Sequence, residues 1–426
     1  MQKLIIKGKK ILSGSINISG SKNATLPILA AAILTDQSIT LKNIPLVQDV
    51  YTMINLLKFM INLLKFIGLN IEIYKKKKFL TISNNKKLKT LAPYNLLKTM
   101  RAGVLVLGPL LTKYGVAKVS LPGGCAIGSR PINLHLDALK KMGAKIKIKE
   151  GYVIARARKG LKGCSIKFRK VSVGATENTL IAACLAEGKT ELKNCAIEPE
   201  VQDLIIFLKK IGCKINWSGK RQLSIIGTNN LKSAKHNIIF DRIEAGTYII
   251  ASAITNGQLR IEKIDLKIMS AEINILKRMG IKIVKRGKQT IVIPPKSINS
   301  INLTTEPYPG FPTDLQAQIM VLMTKSNGTS TIKEKIFENR FMHVSELRRM
   351  GAQIEIKGNI AKVFGKSNLY GAELMATDLR ASVSLVLAGL AAENKTVINR
   401  IYHLDRGYEK LEKKLSNCGA HIRRLK

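Results

Sequence analysis

Acidic residues are scarce in this 426-residue chain: 28 Asp and Glu stand against 71 Lys and Arg, a formal net charge of +43. Such an excess invites a nucleic-acid reading, because neutralising phosphates with Lys and Arg is the sequence-independent part of that binding. Aromatic residues that could stack bases are scarce as well, at 5% with a single tryptophan, and the lysines are spread along the whole chain, Lys75–Lys78 being the only dense run. A binding surface concentrates charge on one face. The composition therefore reads as lysine covering solvated faces, with no nucleic-acid partner expected. Long apolar runs are missing too. The most apolar stretches, Pro27–Leu34 and Val383–Ala392, fall far short of the roughly 18 residues a membrane span needs. The opening Met1–Leu12 has no apolar h-region, so neither a membrane nor a secretory route is expected and the protein is placed in the cytoplasm. The six cysteines (125, 164, 184, 195, 213, 418) include no C-x-x-C pair, which excludes a zinc ribbon and argues for reduced thiols. No G-x-G-x-x-G occurs, and the five histidines (135, 236, 343, 403, 421) show no ligand spacing, so no cofactor and no metal are expected.

What is present is a repeat. The pattern L-x-x-[IMC]-G-x-x-I occurs at Leu64–Ile71, Leu139–Ile146, Leu208–Ile215, Leu276–Ile283, Leu347–Ile354 and Leu415–Ile422. Its glycines (68, 143, 212, 280, 351, 419) are spaced by 75, 69, 68, 71 and 68 residues. Each copy reads as the last turn of a helix with Leu facing a core, a glycine just past the end where the chain turns left-handed, and alternating apolar residues entering a strand. A second signature recurs between the copies: a helix of small apolar residues, a short turn and a strand, as in "TLPILAAAILTDQSITLKNIP" and "ENTLIAACLAEGKTELKNCA". Helices apolar around most of their girth must be buried on nearly all sides. Each unit of about 70 residues thus places one helix inside and one more amphipathic helix nearer the surface. Six units exceed one core, and two domains of three units each are expected. A tandem duplication of "MINLLKF" at Met53–Phe59 and Met60–Phe66 lengthens a helix by about 10.5 Å while keeping its apolar stripe nearly in phase.

The most unusual segment is "SLPGGCAIGSRPINLH", Ser120–His135, where Gly123, Gly124 and Gly128 surround Cys125 and Arg130 follows. A cation beside a thiol favours the reactive thiolate, whereas a proton-donating role needs the thiol form. Gly123 and Gly128 have P-loop spacing, but Ser129 and Arg130 stand where Lys and Ser or Thr are required. Cations recur at the ends of the small-residue helices: Lys22, Arg101, Arg340, Arg380 and Arg406. With the free N–H groups of helix N-termini they could hold a substrate carrying phosphate and carboxylate. Asp314 in "GFPTDLQAQ" and Asp378 in "MATDLRAS" are the acidic partners for proton chemistry, each in a position that also suits helix capping.

With "ISGSKNATLPIL", "LPGGCAIGSRP", "VSVGATEN", "FPTDLQAQ", "ENRFMHVSEL", "MATDLRAS" and "RIYHLDRGYE" in view, the chain from Leu4 to its end resembles the enolpyruvyl transferase family, and within it the branch acting on UDP-N-acetylglucosamine. The resemblance implies an α/β fold of two inside-out α/β barrel domains built from six β-α-β-α-β-β units. Residues 25–237 would form the catalytic domain, and 1–24 with 238–426 the second. It implies transfer of enolpyruvyl from phosphoenolpyruvate to the sugar nucleotide's 3′-hydroxyl with release of phosphate, the first committed step of peptidoglycan synthesis. Cys125 matches the family's acid, which fosfomycin alkylates, and Asp314 the base. Lys22, Asn23, Arg130 and Arg406 match the phosphoenolpyruvate clamp. The sugar nucleotide would meet Arg101, the segment Arg130, Pro131, Ile132, Asn133 and Leu134, the segment Lys170, Val171, Ser172 and Val173, and Asp314 and Ile336.

This chain departs from the family pattern at Asn133, where "RPVDLH" is usual, and at Ile197, where "AREPE" carries Arg. Two alternatives remain at this stage: the sister activity on shikimate 3-phosphate, which the cysteine loop argues against, and a basic nucleic-acid-binding scaffold whose chemistry has decayed. The resemblance predicts that fosfomycin adds covalently at Cys125. Peptide mass spectrometry of the treated protein checks this, and an adduct on another cysteine, or none, removes Cys125 from the site.

Overall fold

The computed structural model describes residues 2–61, 70–83, 89–98, 100–121 and 131–425. These form two units, one of residues 20–121 and 131–239, the other of residues 2–19 and 240–425. Each unit holds three four-stranded sheets, and all six sheets share one plan. An edge strand runs parallel to its neighbour, and two antiparallel strands follow. Leu91–Ala92 beside Val116–Ser120, then Tyr152–Arg156 and Lys145–Lys149, is one instance. In chain order the repeats read β-α-β-α-β-β, as the family resemblance implied, except that the last one borrows a strand from the N-terminus.

The inner helices are Lys22–Ala31, Leu107–Tyr114 and Val173–Ala183 in one unit, and Arg242–Ile254, Gln316–Met323 and Leu379–Ala391 in the other. Most residues of these helices are buried, nearly all of them in Lys22–Ala31, Arg242–Ile254, Gln316–Met323 and Leu379–Ala391, as expected of sequences apolar around their whole girth. In the second unit all three pack on one another and each packs on a strand of its own sheet. The outer helices, such as Asn133–Lys141 and Ser270–Arg278, bury one stripe and end in lysines and arginines that suit a helix C-terminus. The apolar core of each unit thus lies between helices and sheets, with helices at the centre.

The left-handed turns after the outer helices are present at Gly143, Gly212, Gly280, Gly351 and Gly419, with φ between +94° and +105°. The sixth copy, at Gly68, lies outside the described residues. The first copy of the duplicated heptapeptide, Met53–Phe59, lies in helix Gln48–Ile61, and residues 62–66 of the second lie outside the described residues.

Two strands sit in the sheet of a unit other than the one their sequence neighbours enter. Ser13–Asn17 precedes helix Lys22–Ala31 yet pairs in parallel with Gln258–Glu262. Ala234–Asn237 precedes helix Arg242–Ile254 yet pairs with Ile39–Lys42. The N-terminal strand Lys3–Lys7 fills the gap between Lys395–Asn399 and His421–Leu425. The ends of these crossings are tied down within each unit. The Ser19 N–H donates to Glu244 at 2.7 Å, and Lys414 donates to both Glu244 (2.6 Å) and the Ser19 hydroxyl (2.9 Å). On the other side the Ser21 N–H donates to the Ile239 carbonyl at 2.7 Å. A Cβ at Gly20 would overlap the Asn43 carbonyl, so only glycine fits immediately before the helix that carries Lys22.

Gly143 has φ +97° and open space where a Cβ would go, so alanine there meets backbone strain alone. Gly143→Ala should lower stability by about 1 kcal/mol in urea unfolding while leaving activity intact. An unchanged midpoint would show that the left-handed turn is not what this glycine supplies.

Candidate active site

In the unit of residues 20–239, Lys22 is the first residue of its helix and is buried, although lysine is rarely so. Its ammonium donates to Asp49 at 3.1 Å, with both side chains almost closed to solvent. Ser21 caps the helix by accepting from the Ala24 N–H. Lys22 is therefore held by a carboxylate on helix Gln48–Ile61 as well as by its own backbone. Asn23 beside it is half-buried.

Two predicted nucleotide segments lie side by side. Pro131 and Asn133 are exposed and Ile132 and Leu134 buried, with Asn133 opening helix Asn133–Lys141. Lys170 and Val173 are exposed, Val171 and Ser172 half-buried, and the Ser172 hydroxyl accepts from the Ala175 N–H to cap helix Val173–Ala183. The two helices meet at His135: a Cβ on Gly174 would stand 3.2 Å from the imidazole Cε1. The Asn178 amide locks that ring. Its oxygen accepts from the Gly108 N–H at 2.8 Å, so its nitrogen faces His135 Nδ1 at 3.1 Å and must donate. The imidazole is thereby neutral with its proton on Nε2. Burial, and then the charge of nearby Arg101, push the His135 pKa down to about 4. Arg101 itself opens the short helix Arg101–Val106 and is half-buried.

In the other unit the carboxylate of Asp314 is gripped from two sides. Arg340 donates to Oδ1 and Arg380 to Oδ2, each at 2.9 Å, while the Asp314 side chain keeps 30% of its surface exposed. Arg340 also donates to the carbonyl of Thr313. Burial disfavours the charge on Arg380, but Asp314 more than restores it, and the guanidinium pKa is raised. The turn carrying Asp314 is fastened to the loop carrying Ile336 by buried Glu334, which accepts from the Thr313 hydroxyl (2.9 Å) and from the N–H groups of Ile336 (2.8 Å) and Phe337 (3.2 Å). Arg406 follows the short helix Tyr402–Asp405 and is half-buried. Arg424 grips Asp405 with two hydrogen bonds of 2.8 and 2.7 Å, fixing that helix against the C-terminal strand.

Cys125 and Arg130 lie outside the described residues. The capping role expected of both aspartates holds for one. Asp378 caps helix Leu379–Ala391, accepting from the N–H groups of Arg380 (2.8 Å) and Ala381 (3.1 Å). Asp314 is not the capping residue: Pro312 occupies that position before Thr313–Leu315, and the Asp314 carboxylate accepts from the two arginines. Arg340 and Arg380 were visible in the sequence as cations but not as partners of Asp314, and Asp49 and Glu334 gave no motif. The one available signal was scarcity: in so basic a chain, a carboxylate next to a helix of small residues has few reasons to be there. Among the described residues no group of three or more His, Cys, Asp or Glu could hold a metal ion, and no helix is long and apolar enough to cross a membrane.

Six sheets of one plan around buried helices, with cations at the helix starts, are the architecture of the enolpyruvyl transferases. The family described as EPSP synthase (3-phosphoshikimate 1-carboxyvinyltransferase) matches residues 6–415, and the chain belongs to it. Its relatives include the UDP-N-acetylglucosamine 1-carboxyvinyltransferases of Pelagibacter ubique, Rickettsia akari and Nitratiruptor, which are 60%, 53% and 50% identical over the full length of both chains. Among solved structures, the enolpyruvyl transferase NikO from Streptomyces tendae superposes with a TM-score of 0.90 at 24% identity, covering 100% of this chain and 99% of its own. EPSP synthase from Acinetobacter baumannii gives 0.76 at 18%, with both chains fully covered.

His135 and His343 are both buried with pKa values lowered to about 4, one in each unit. Each binds a proton more readily unfolded, so their contribution is complete above pH 6.5 and is lost as pH falls toward 4. At pH 4 the loss is about 3 kcal/mol for each histidine. His135→Gln should flatten the acid side of the stability profile of its unit in urea titrations between pH 7 and 4. An identical profile would mean that His135 is solvated and protonated in the folded chain.

Proposed function

We propose that this protein transfers enolpyruvyl from phosphoenolpyruvate to the 3′-hydroxyl of UDP-N-acetylglucosamine with release of phosphate, the first committed step of peptidoglycan synthesis, in the cytoplasm. The observation that carries the proposal is identity of 50 to 60% over the whole chain with relatives bearing that activity in their names. The sister activity on shikimate 3-phosphate is less supported, since EPSP synthase structures share 17 to 18% identity.

The chemistry needs an acid, a base and a cation cage for a highly charged donor. In this reading Asp314 takes the proton of the sugar hydroxyl as its oxygen bonds to C2 of phosphoenolpyruvate, and the Cys125 thiol protonates C3. Elimination then breaks the C2–O bond to phosphate and returns a proton from C3, regenerating the double bond. Two arginines on Asp314 hold it aimed, and the side chain keeps 30% of its surface exposed on the side from which a proton would come. Lys22, Asn23, Arg130 and Arg406 bind the donor. Lysine serves as a compact charge and arginine as a planar fork for carboxylate or phosphate. The adjacent Pro131–Leu134 and Lys170–Val173 segments, with Arg101 and Ile336, bind the sugar nucleotide. Exposed Asn133 can still accept a hydrogen bond there, so its substitution for a carboxylate touches affinity rather than chemistry. Residues 25–237 act as the catalytic domain carrying the Cys125 loop, and residues 1–24 with 238–426 supply Asp314, Ile336 and Arg406.

Phosphate release measured with phosphoenolpyruvate and each acceptor decides the matter. UDP-N-acetylglucosamine should support turnover and give a product heavier by one enolpyruvyl group. Turnover with shikimate 3-phosphate instead, or none with either, would overturn the proposal.

A further inference from the structure

The starts of the three inner helices in the unit of residues 240–425 converge on one buried hydroxyl, that of Tyr408. Thr247 of helix Arg242–Ile254 lies 2.9 Å from it, and Arg380 of helix Leu379–Ala391 donates to it through Nη1 at 3.3 Å. Gln318 of helix Gln316–Met323 donates to the Asp314 carbonyl at 2.9 Å and stands 3.4 Å from both hydroxyls. The directions of these bonds follow from proton supply. The Thr247 hydroxyl gives its hydrogen to the Ile243 carbonyl at 2.8 Å, so it can only accept from Tyr408. Tyr408 therefore donates to Thr247 and uses its lone pairs for Arg380. Burial keeps its proton in place by raising its pKa.

The two arginines on Asp314 are thus secured differently. Arg340 bonds the Thr313 carbonyl of the same turn and moves with Asp314. Arg380 comes from another helix, and one of its guanidinium nitrogens holds Asp314 while another holds Tyr408. A planar guanidinium fixed at two nitrogens has no freedom to rotate about its axis. We infer that Tyr408 is a positioning residue for the base, acting through Arg380 and anchored by Thr247. The inference rests on the proposed role of Asp314.

Removing the hydroxyl in Tyr408→Phe frees Arg380 to swing and weakens its hold on the carboxylate. Turnover should fall roughly 10- to 100-fold, with the KM for UDP-N-acetylglucosamine changed by no more than about twofold. An Asp314 carboxylate less stabilised by Arg380 binds protons more readily, so the acidic limb of the kcat/KM profile should move to higher pH. A purely structural role would leave that limb in place. Tyr248 gives the control, because its hydroxyl is equally buried but has no hydrogen-bond partner among the described residues. Tyr248→Phe should keep normal turnover and an unshifted limb. Thr247→Val, which removes the acceptor of the Tyr408 proton along with the Thr247 bonds to the Ile243 carbonyl and Gln318, should shift the limb in the same direction by less, and it decides the question if Tyr408→Phe fails to fold. Wild-type-like turnover and pH profiles in the Tyr408 or Thr247 variant, alongside an active parent, would overturn the inference while leaving the proposed function standing. A parent that transfers no enolpyruvyl overturns both.

Discussion

A helix with no face toward solvent can carry polar side chains only at its ends, or in pairs that satisfy each other, because an unpartnered buried polar group costs a few kcal/mol. That constraint governs both units. The inner helices are mostly buried, and their buried cations sit at the first turn: Lys22, Arg242 and Arg380 each open or nearly open a helix. The first turn is also where backbone N–H groups lack partners and negative charge is favoured. Fold and chemistry therefore coincide in position. The same burial that stabilises the repeat pushes cations and the free ends of helices into the few places where an anionic substrate can reach them.

Those cations cannot stay buried alone. Lys22 has Asp49, Arg242 has Glu272 at 2.7 Å, and Arg380 and Arg340 share Asp314. A buried pair is weak evidence for stability, since desolvation offsets the attraction. Its value here is orientation. Arg242 and Glu272 are both almost wholly enclosed, whereas Asp314 keeps part of its surface open. A carboxylate held by two fixed arginines and still partly exposed keeps its orientation without rebuilding its surroundings, which is what the proposed base role needs.

How much of this the sequence displayed depended on whether the feature is local. The left-handed glycines after the outer helices and the apolar girth of the inner ones are decided by a few neighbouring residues, and both were readable. Asp378 was readable for the same reason: a cap needs only the next three residues. Asp314 occupies a similar-looking context, but Pro312 before it and arginines 26 and 66 residues away settle its role, and no local pattern carries that information. The strand exchange at Ser13–Asn17 and Ala234–Asn237 could be expected from the family resemblance but not from the repeat, for a related reason. A repeat read along the chain assigns each strand to the unit that follows it, while pairing is settled by the tertiary ties on Ser19, Ser21 and Ile239.

The charge imbalance with which the sequence opens has a physical counterpart in the fold. Of the 28 acidic residues, ten are buried among the described residues, a high share for a residue class that is normally exposed. Several have identifiable partners: Asp49 with Lys22, Asp203 with His236, Glu244 with Lys414, Glu272 with Arg242, and Asp241 with the first N–H groups of its helix. Surface carboxylates contribute little, because exposed ion pairs are worth at most about 1 kcal/mol. A buried carboxylate that partners a cation cannot be exchanged for lysine without placing two like charges together in a medium of low polarity. The outer strands show the complement, as in exposed Lys145, Lys149, Lys282 and Lys357 at sheet edges. A composition pushed toward lysine is therefore free to act on the outer sheets and meets its limit at the inner helices, where Lys22, Arg242 and Arg380 each keep a carboxylate partner. Net charge thus describes the outside of this protein, and the remaining acids mark where its interior, and the chemistry at the helix starts, leave no alternative.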